Sequence, residues 1–138
     1  MRFHGVDVLT QSRVEAGRLR QGVASVLSLE GHRVSVIRDV ACYPERGAAD
    51  VVCVVTPIQG DFSDSVSIQC DPIEAPVSSI IEFAQRLSVA LGSAVLVPDE
   101  GHDPYVMWLV DLSGGCRKVS LDESALESDT YKVRNLAR

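Results

Sequence analysis

The sequence has 138 residues, which is the size of one ordinary globular domain. Because 46% of the residues are hydrophobic and 23% are charged, a disordered tail, a collagen-like repeat and a coiled coil are excluded. The formal net charge of −6 argues against a nucleic-acid-binding protein, since contacts with phosphates require clustered lysines and arginines. We therefore expect a single domain over residues 1–138.

The negative charge is concentrated in the middle of the chain. Residues 47–116 contain ten acidic residues and one basic residue, Arg86, and so carry a net charge of −9. Residues 1–46 and 117–138 are close to neutral, at +2 and +1. A field of one sign speeds the encounter with a basic macromolecule, and acidity that serves only solubility is the common alternative.

In the first part of the chain, the spacing of apolar residues predicts three strands and one helix. A strand is expected over residues 3–10, and a helix over residues 13–29 with Ser12 as its cap. A second strand follows over residues 32–40, and a hairpin-like step leads from it to a third over residues 51–56. Since the third strand is apolar at nearly every position, we expect both of its faces to be covered.

In the second part of the chain, the apolar residues recur with a clearer spacing. Residues 62–70 alternate apolar and polar side chains, which predicts a strand with one wet face. A helix is predicted from Pro76, which suits a first turn, to Leu91, because apolar residues recur at helical spacing and Gly92 provides a stop. Three strands and a short helix are predicted after it, over residues 94–97, 105–112, 116–121 and 123–127.

This order of elements predicts the α+β fold class, with a mixed, mainly antiparallel sheet and two main helices packed on one face. The opposite face of the sheet is expected to be open. An open face or edge rimmed with serine, aspartate and aromatic side chains is a candidate docking surface, although single-sided sheets without any partner are also common. The pattern does not determine the order of the strands.

Motifs that carry chemistry are missing from the sequence. It contains no phosphate-binding loop, dinucleotide-binding glycine pattern, zinc-peptidase helix, nucleophile elbow or EF-hand loop. The four cysteines form no CxxC pair and the three histidines stand in different segments, so neither a metal site nor a catalytic triad is indicated. We expect a protein without enzymatic activity, metal or cofactor. Because no signal-peptide or membrane-spanning run is found and Cys53 is predicted to be a buried, reduced thiol, a cytoplasmic location is expected.

The best candidates for contacting a partner lie in one acidic loop and the strand that follows it. Asp99, Glu100 and Asp103 stand close together with a histidine. Such a cluster suits a basic partner or, less simply, a metal ion, and a solvated hairpin loop is the plainest interpretation. Trp108 is the single tryptophan and is either a core residue or an exposed interface anchor, and the same alternatives hold for Tyr105.

One stretch of the sequence has the organisation of a known group of proteins. The run Leu91–Glu100 continues through Asp103 and Tyr105 to a strand and then to the segment Asp111–Arg117. Over about residues 76–121, this organisation resembles the immunity proteins of contact-dependent growth inhibition and related polymorphic toxin systems. The resemblance implies an acidic, cytosolic single domain that has no active site and binds the C-terminal toxin domain of its cognate effector. It carries over no binding residue, because these families share neither one fold nor a binding motif.

The charge and the resemblance together predict an immunity protein that neutralises a toxin domain, expected to be a basic nuclease, by occluding it. The alternative is a small regulatory or chaperone-like module that associates with itself through its sheet and whose acidity serves solubility alone. No nucleic-acid or membrane partner is expected. The first interface candidates are Asp99, Glu100, Asp103, Tyr105 and Trp108, and the second group is Asp61 and Asp64.

Overall fold

In a computed structural model, which describes residues 1–135, eight strands form one mixed sheet and two helices pack together on one of its faces. This architecture confirms the predicted α+β class with a mostly antiparallel sheet. Two short strands, β4 (Gln59–Gly60) and β9 (Thr130–Tyr131), pair with each other outside the large sheet. The elements are β1 (Arg2–Thr10), α1 (Ala16–Leu27), β2 (Val34–Ile37), β3 (Val51–Pro57), β4 (Gln59–Gly60), β5 (Asp64–Glu74), α2 (Ile80–Leu91), β6 (Val95–Pro98), β7 (Val106–Val110), β8 (Cys116–Leu121), α3 (Glu123–Leu126), β9 (Thr130–Tyr131) and β10 (Val133–Asn135).

The order across the sheet is β10-β8-β7-β6-β1-β5-β3-β2, and all neighbours run antiparallel except β2 and β3. The prediction of a hairpin-like step between these two strands is wrong, because they pair in parallel. Residues 38–50 carry the chain back along the sheet, so that both strands start at the same end. Parallel neighbours need a connection of about a dozen residues, and the alternation of side chains does not encode strand direction.

Each main helix connects two strands that run in the same direction. The strand pairings make β1 parallel to β2 and β5 parallel to β6, so α1 and α2 are crossover helices over the strands between them. Helix α1 packs against β2, and α2 packs against β6 and β7. We call the face that they cover the helix face, and the other the back face.

Both helices begin later than predicted, because the caps lie further along the chain. The Glu15 carboxylate, instead of Ser12, caps α1 by accepting hydrogen bonds from the backbone N–H groups of Gly17 and Arg18, each at 2.8 Å. These two hydrogen bonds lower the pKa of Glu15. In α2 the cap is Ser79, whose hydroxyl accepts from the N–H of Glu82 at 3.1 Å, so the helix starts after Pro76.

Buried side chains form two groups, one on each face of the sheet. The main core lies between the sheet and the two helices, and Phe3 stacks there on Phe83 with ring centroids 4.9 Å apart. On the back face, side chains from α3, β9 and β10 cover a second cluster. The expectation of an open back face is therefore wrong at β6, β7 and β8, because the C-terminal segment packs against them. The buried members of this cluster are Leu9, Phe62, Leu96, Met107, Val119 and Leu121.

Candidate partner-binding surface

One exposed part of the sheet lies on the helix face, beyond α2, on strands β7 and β8. Strand β7 alternates as predicted, with Trp108 packed partly against the main core and Met107 in the back cluster. Directly opposite Trp108 on β8 is Lys118, which is exposed. We call this region the β7–β8 shelf, and its side chains are Val106, Trp108, Cys116, Lys118 and Ser120.

Asp99 joins the acidic loop to the β7–β8 shelf. Its Oδ1 atom lies 3.5 Å from the Nζ atom of Lys118, and the same Nζ atom lies 5.3 Å from the centroid of the Trp108 ring. The side chain of Asp99 is 17% exposed and that of Lys118 is 46% exposed. An ion pair this open to solvent contributes at most about 1 kcal/mol to stability.

The acidic loop has a defined backbone and points two carboxylates outward. The Oδ1 atom of Asp103 accepts a hydrogen bond from the N–H of Tyr105 at 2.9 Å, and the N–H of Val106 donates to the Asp103 carbonyl at 3.2 Å. Glu100 adopts a left-handed backbone with a φ of 62°. Glu100 and Asp103 are both exposed, and neither has a cation within 4.0 Å among residues 1–135.

The first group of predicted residues is divided between the two faces. Asp99 and Trp108 meet at Lys118 on the helix face, and Glu100 and Asp103 lie in the loop beside them. Tyr105 instead packs partly buried against the back cluster. Of the aromatic candidates, only Trp108 therefore faces the β7–β8 shelf.

The second group does not extend this surface. Asp64 is fully buried, and its carboxylate accepts hydrogen bonds from the N–H of Val14 at 2.8 Å and from Arg13 at 3.0 Å. Asp61 is exposed, but its Oδ2 atom accepts from the N–H of Val133 at 2.9 Å on the back face. Contrary to expectation, we assign Asp64 a structural role, because a carboxylate enclosed in this way cannot reach a partner. Asp61 holds the C-terminal segment in place.

Folding also neutralises part of the charge of residues 47–116. Asp50 forms a two-pronged pair with Arg33, whose closest N···O distance is 2.7 Å, and the hydrogen bond from Arg33 lowers the pKa of Asp50. Two further pairs, Asp64 with Arg13 and Asp99 with Lys118, also join an acidic residue of this segment to a basic residue from outside it. The negative surface is therefore smaller than the segment's charge implies.

A groove of about 610 Å³ on the helix face was not anticipated from the sequence. It runs between α1, α2 and the turn after β7, and Val89 and Leu112 in its wall are 64% and 53% exposed. The Nε2 atom of Gln85 donates to the carbonyl of Gly114 at 2.9 Å and fixes the turn against α2. The available signal was Val89, an apolar residue that stands outside the buried stripe of its helix.

The four cysteines are free and differ in exposure, which predicts a graded reactivity. Burial raises the pKa of Cys53 to about 12, and it also raises the pKa of Cys70. Because the thiolate is the reactive form, we expect N-ethylmaleimide to label Cys42 and Cys116 first, Cys70 more slowly and Cys53 only after unfolding. Peptide mass spectrometry after timed labelling measures this order, and early labelling of Cys53 would contradict it.

Comparison with protein-family models, curated proteins and solved structures finds no match to this chain. Within residues 1–135, no helix is long and apolar enough to cross a membrane. The same residues contain no group of three or more histidine, cysteine, aspartate and glutamate side chains placed to hold a metal ion. The candidate surface therefore rests on the geometry of the acidic loop and the β7–β8 shelf.

Proposed function

We propose that this chain is an immunity protein that binds a basic bacterial toxin domain in the cytoplasm and neutralises it. The observation that carries the proposal is the acidic loop: Glu100 and Asp103 are exposed, are held by a defined backbone and border a shelf with a partly exposed Trp108. The proposal assigns binding residues and no catalytic residue.

Two physical effects support this assignment. Carboxylates without a nearby cation attract a basic surface over a distance of about a Debye length and raise the rate of encounter. A partly exposed tryptophan beside them supplies apolar contact area at low entropic cost, which is the usual property of an interface anchor. A basic nuclease offers the matching surface, because its substrate site binds phosphates, and carboxylates placed over that site exclude the substrate.

Changing the charge of the acidic loop is expected to slow binding without weakening the fold. In Glu100→Lys/Asp103→Asn the asparagine retains the oxygen that accepts from Tyr105. We expect the association rate with the basic domain to fall about tenfold at low salt, and the difference to shrink as salt is added. Stopped-flow kinetics at several salt concentrations measure the rate, and urea unfolding checks that stability changes by less than about 0.5 kcal/mol.

The matched control is Glu127→Lys/Asp129→Asn, which changes the net charge by the same amount. Both residues are exposed, Asp129 also has a positive φ of 54°, and the segment that they belong to packs on the back face. If this control slows association as much as the loop variant does, net charge alone is responsible and the acidic loop is not the contact.

Neutralisation itself is tested by capture and co-expression. The chain is used as bait in lysate of its source bacterium at low and high salt, and a retained basic domain is then expressed alone and together with this chain. We expect growth inhibition by the domain alone and rescue on co-expression. A retained domain that stays toxic in the presence of excess chain would overturn the proposal.

The second candidate function is self-association through the sheet, and one observation favours it. Strand β2 is the outer strand on its side of the sheet, and the exposed side chains of Val40 and Tyr43 follow it. Edge strands that lack protection pair readily with a second copy. Analytical ultracentrifugation of the chain alone distinguishes the two candidates, because the immunity proposal requires no dimer and self-association does.

A further inference from the structure

The β7–β8 shelf holds an ammonium group between a carboxylate and an indole ring. The Nζ atom of Lys118 is 3.5 Å from Asp99 Oδ1 and 5.3 Å from the centroid of Trp108. A negative charge beside an aromatic face is the combination with which proteins bind organic cations. This arrangement therefore has the chemistry of a cation-binding site, and the cation that occupies it is Lys118 of the same chain.

The backbone positions of both acceptor groups are fixed by the pairing of β6, β7 and β8, whereas the cation ends a long flexible side chain. Trp108 pairs with Val97 on one side and with Lys118 on the other, and Asp99 follows Val97 by two residues with its N–H bonded to the carbonyl of Val106 at 3.4 Å. The ammonium of Lys118 ends a flexible four-carbon stem that is 46% exposed. The backbone positions that carry the carboxylate and the ring thus do not depend on Lys118.

We infer that Asp99 and Trp108 form a binding site for an arginine side chain of the partner, and that Lys118 fills this site in the free chain. The inference rests on the proposed function for the origin of the arginine. Arginine is the favoured occupant because its planar guanidinium stacks on an indole and binds a carboxylate with two N–H groups, whereas an ammonium acts as a point charge.

Lys118 then acts as an internal competitor at the surface. A partner with a correctly placed arginine displaces it, and a merely basic partner without that arginine leaves it in place. The displaced ammonium moves into solvent at little cost, because the stem is already half exposed. Removing the lysine is therefore expected to strengthen the binding of a guanidinium group, although it makes the whole chain more negative by only one charge.

The test uses methylguanidinium chloride as the probe and the fluorescence of Trp108, the single tryptophan, as the readout. Titrations of the wild-type chain and of Lys118→Met are referenced to the same concentrations of sodium chloride and to free N-acetyltryptophanamide. We expect a saturable change in emission whose apparent dissociation constant is about threefold lower in Lys118→Met than in the wild type, the factor that corresponds to an exposed ion pair. Lys118→Met/Asp99→Asn is expected to lose the saturable change.

The matched control is Arg117→Met, which removes one positive charge from the residue before Lys118 in β8, whose side chain lies on the back face. Circular dichroism checks that each variant is folded, and Lys118→Gln replaces Lys118→Met if the latter is not. Equal affinities in the wild type and the Lys118 variant, or the same gain in Arg117→Met, would overturn the inference. Because the probe is a small cation, its binding is measured without a toxin: failure to find a toxin overturns the proposed function and leaves this result standing.

Discussion

Asp64→Ala is expected to lower the free energy of unfolding by about 3 kcal/mol, the cost of breaking a buried charged hydrogen-bond network. The carboxylate is fully buried and accepts from the N–H of Val14 at 2.8 Å and from Arg13 at 3.0 Å. Alanine leaves the N–H of the buried Val14 without its acceptor and removes the anchor of the segment that leads into α1. Urea unfolding followed by circular dichroism measures the loss.

Two controls separate this anchoring role from the loss of a negative charge. Asp71→Ala removes an exposed aspartate from the same strand and should change stability by less than about 0.5 kcal/mol. Arg13→Ala should cost less than Asp64→Ala because the N–H of Val14 still donates to Asp64, although the fully buried carboxylate then lacks its cation. An Asp64 variant no less stable than the Asp71 variant would show that the anchor is unimportant.

Asp64 variants also test the limits of the candidate surface. Asp64 begins β5 and pairs with Thr10 of β1 and Pro57 of β3, whereas the β7–β8 shelf lies on the other side of β6. A folded Asp64 variant is therefore expected to bind a partner of the shelf as the wild type does. Substitution of Asp64 is thus expected to lower the stability of the fold without changing the affinity for the partner.

Phe83→Ala is expected to have the largest effect of any single substitution discussed, a loss of about 4 kcal/mol. Phe83 is fully buried and stacks on Phe3 at an interplanar angle of 27°, which joins α2 to β1 in the middle of the main core. The truncation removes the transfer free energy of the ring and leaves a cavity that the surrounding strands cannot close. Denaturant unfolding measures the difference from the wild type.

The matched control for Phe83→Ala is Phe83→Leu, which keeps an apolar side chain of intermediate volume. We expect it to cost about 1.5 kcal/mol, since less volume is lost. A loss below about 1 kcal/mol for the alanine variant would mean that α2 is not held on the sheet through Phe83. Helix α2 borders both the groove and the β7–β8 shelf. A large loss of stability in Phe83→Ala would therefore also mean that the candidate surface depends on the packing of Phe83 against Phe3.

Much of the fold was predictable because its signals are local. The alternation over residues 62–70 corresponds to β5, the apolar stripe before Gly92 corresponds to α2, and the prediction for β8 over residues 116–121 agrees with the structure at both ends. A period of two or of 3.6 is a property of neighbouring residues, so a single stretch is enough to detect it. The start of α1 was misplaced because Ser12 is a favoured cap residue by type, whereas only the backbone geometry shows that Glu15 caps the helix.

The candidate site was predictable only in part, for the same reason. The acidic loop and Trp108 are visible in the sequence, because their residues are unusual and close together. Lys118 gave no signal, since it becomes a neighbour of Trp108 only through the pairing of β7 with β8 and a neighbour of Asp99 only through the fold of the loop. Val89 and Leu112 likewise form one groove only after α2 and the turn after β7 are packed together.

The sequence by itself determined the three helices, the strands β1 to β3 and β5 to β8, the α+β fold class, and the acidity of the middle of the chain. Only the tertiary structure decided the parallel pairing of β2 with β3, the covering of the back face, and which carboxylates are neutralised. The pair Arg13–Asp64 spans 51 positions of the chain, and no local pattern relates two such residues. Periodicity is set by the backbone of each element, whereas burial and charge pairing depend on which distant elements the packed core brings together.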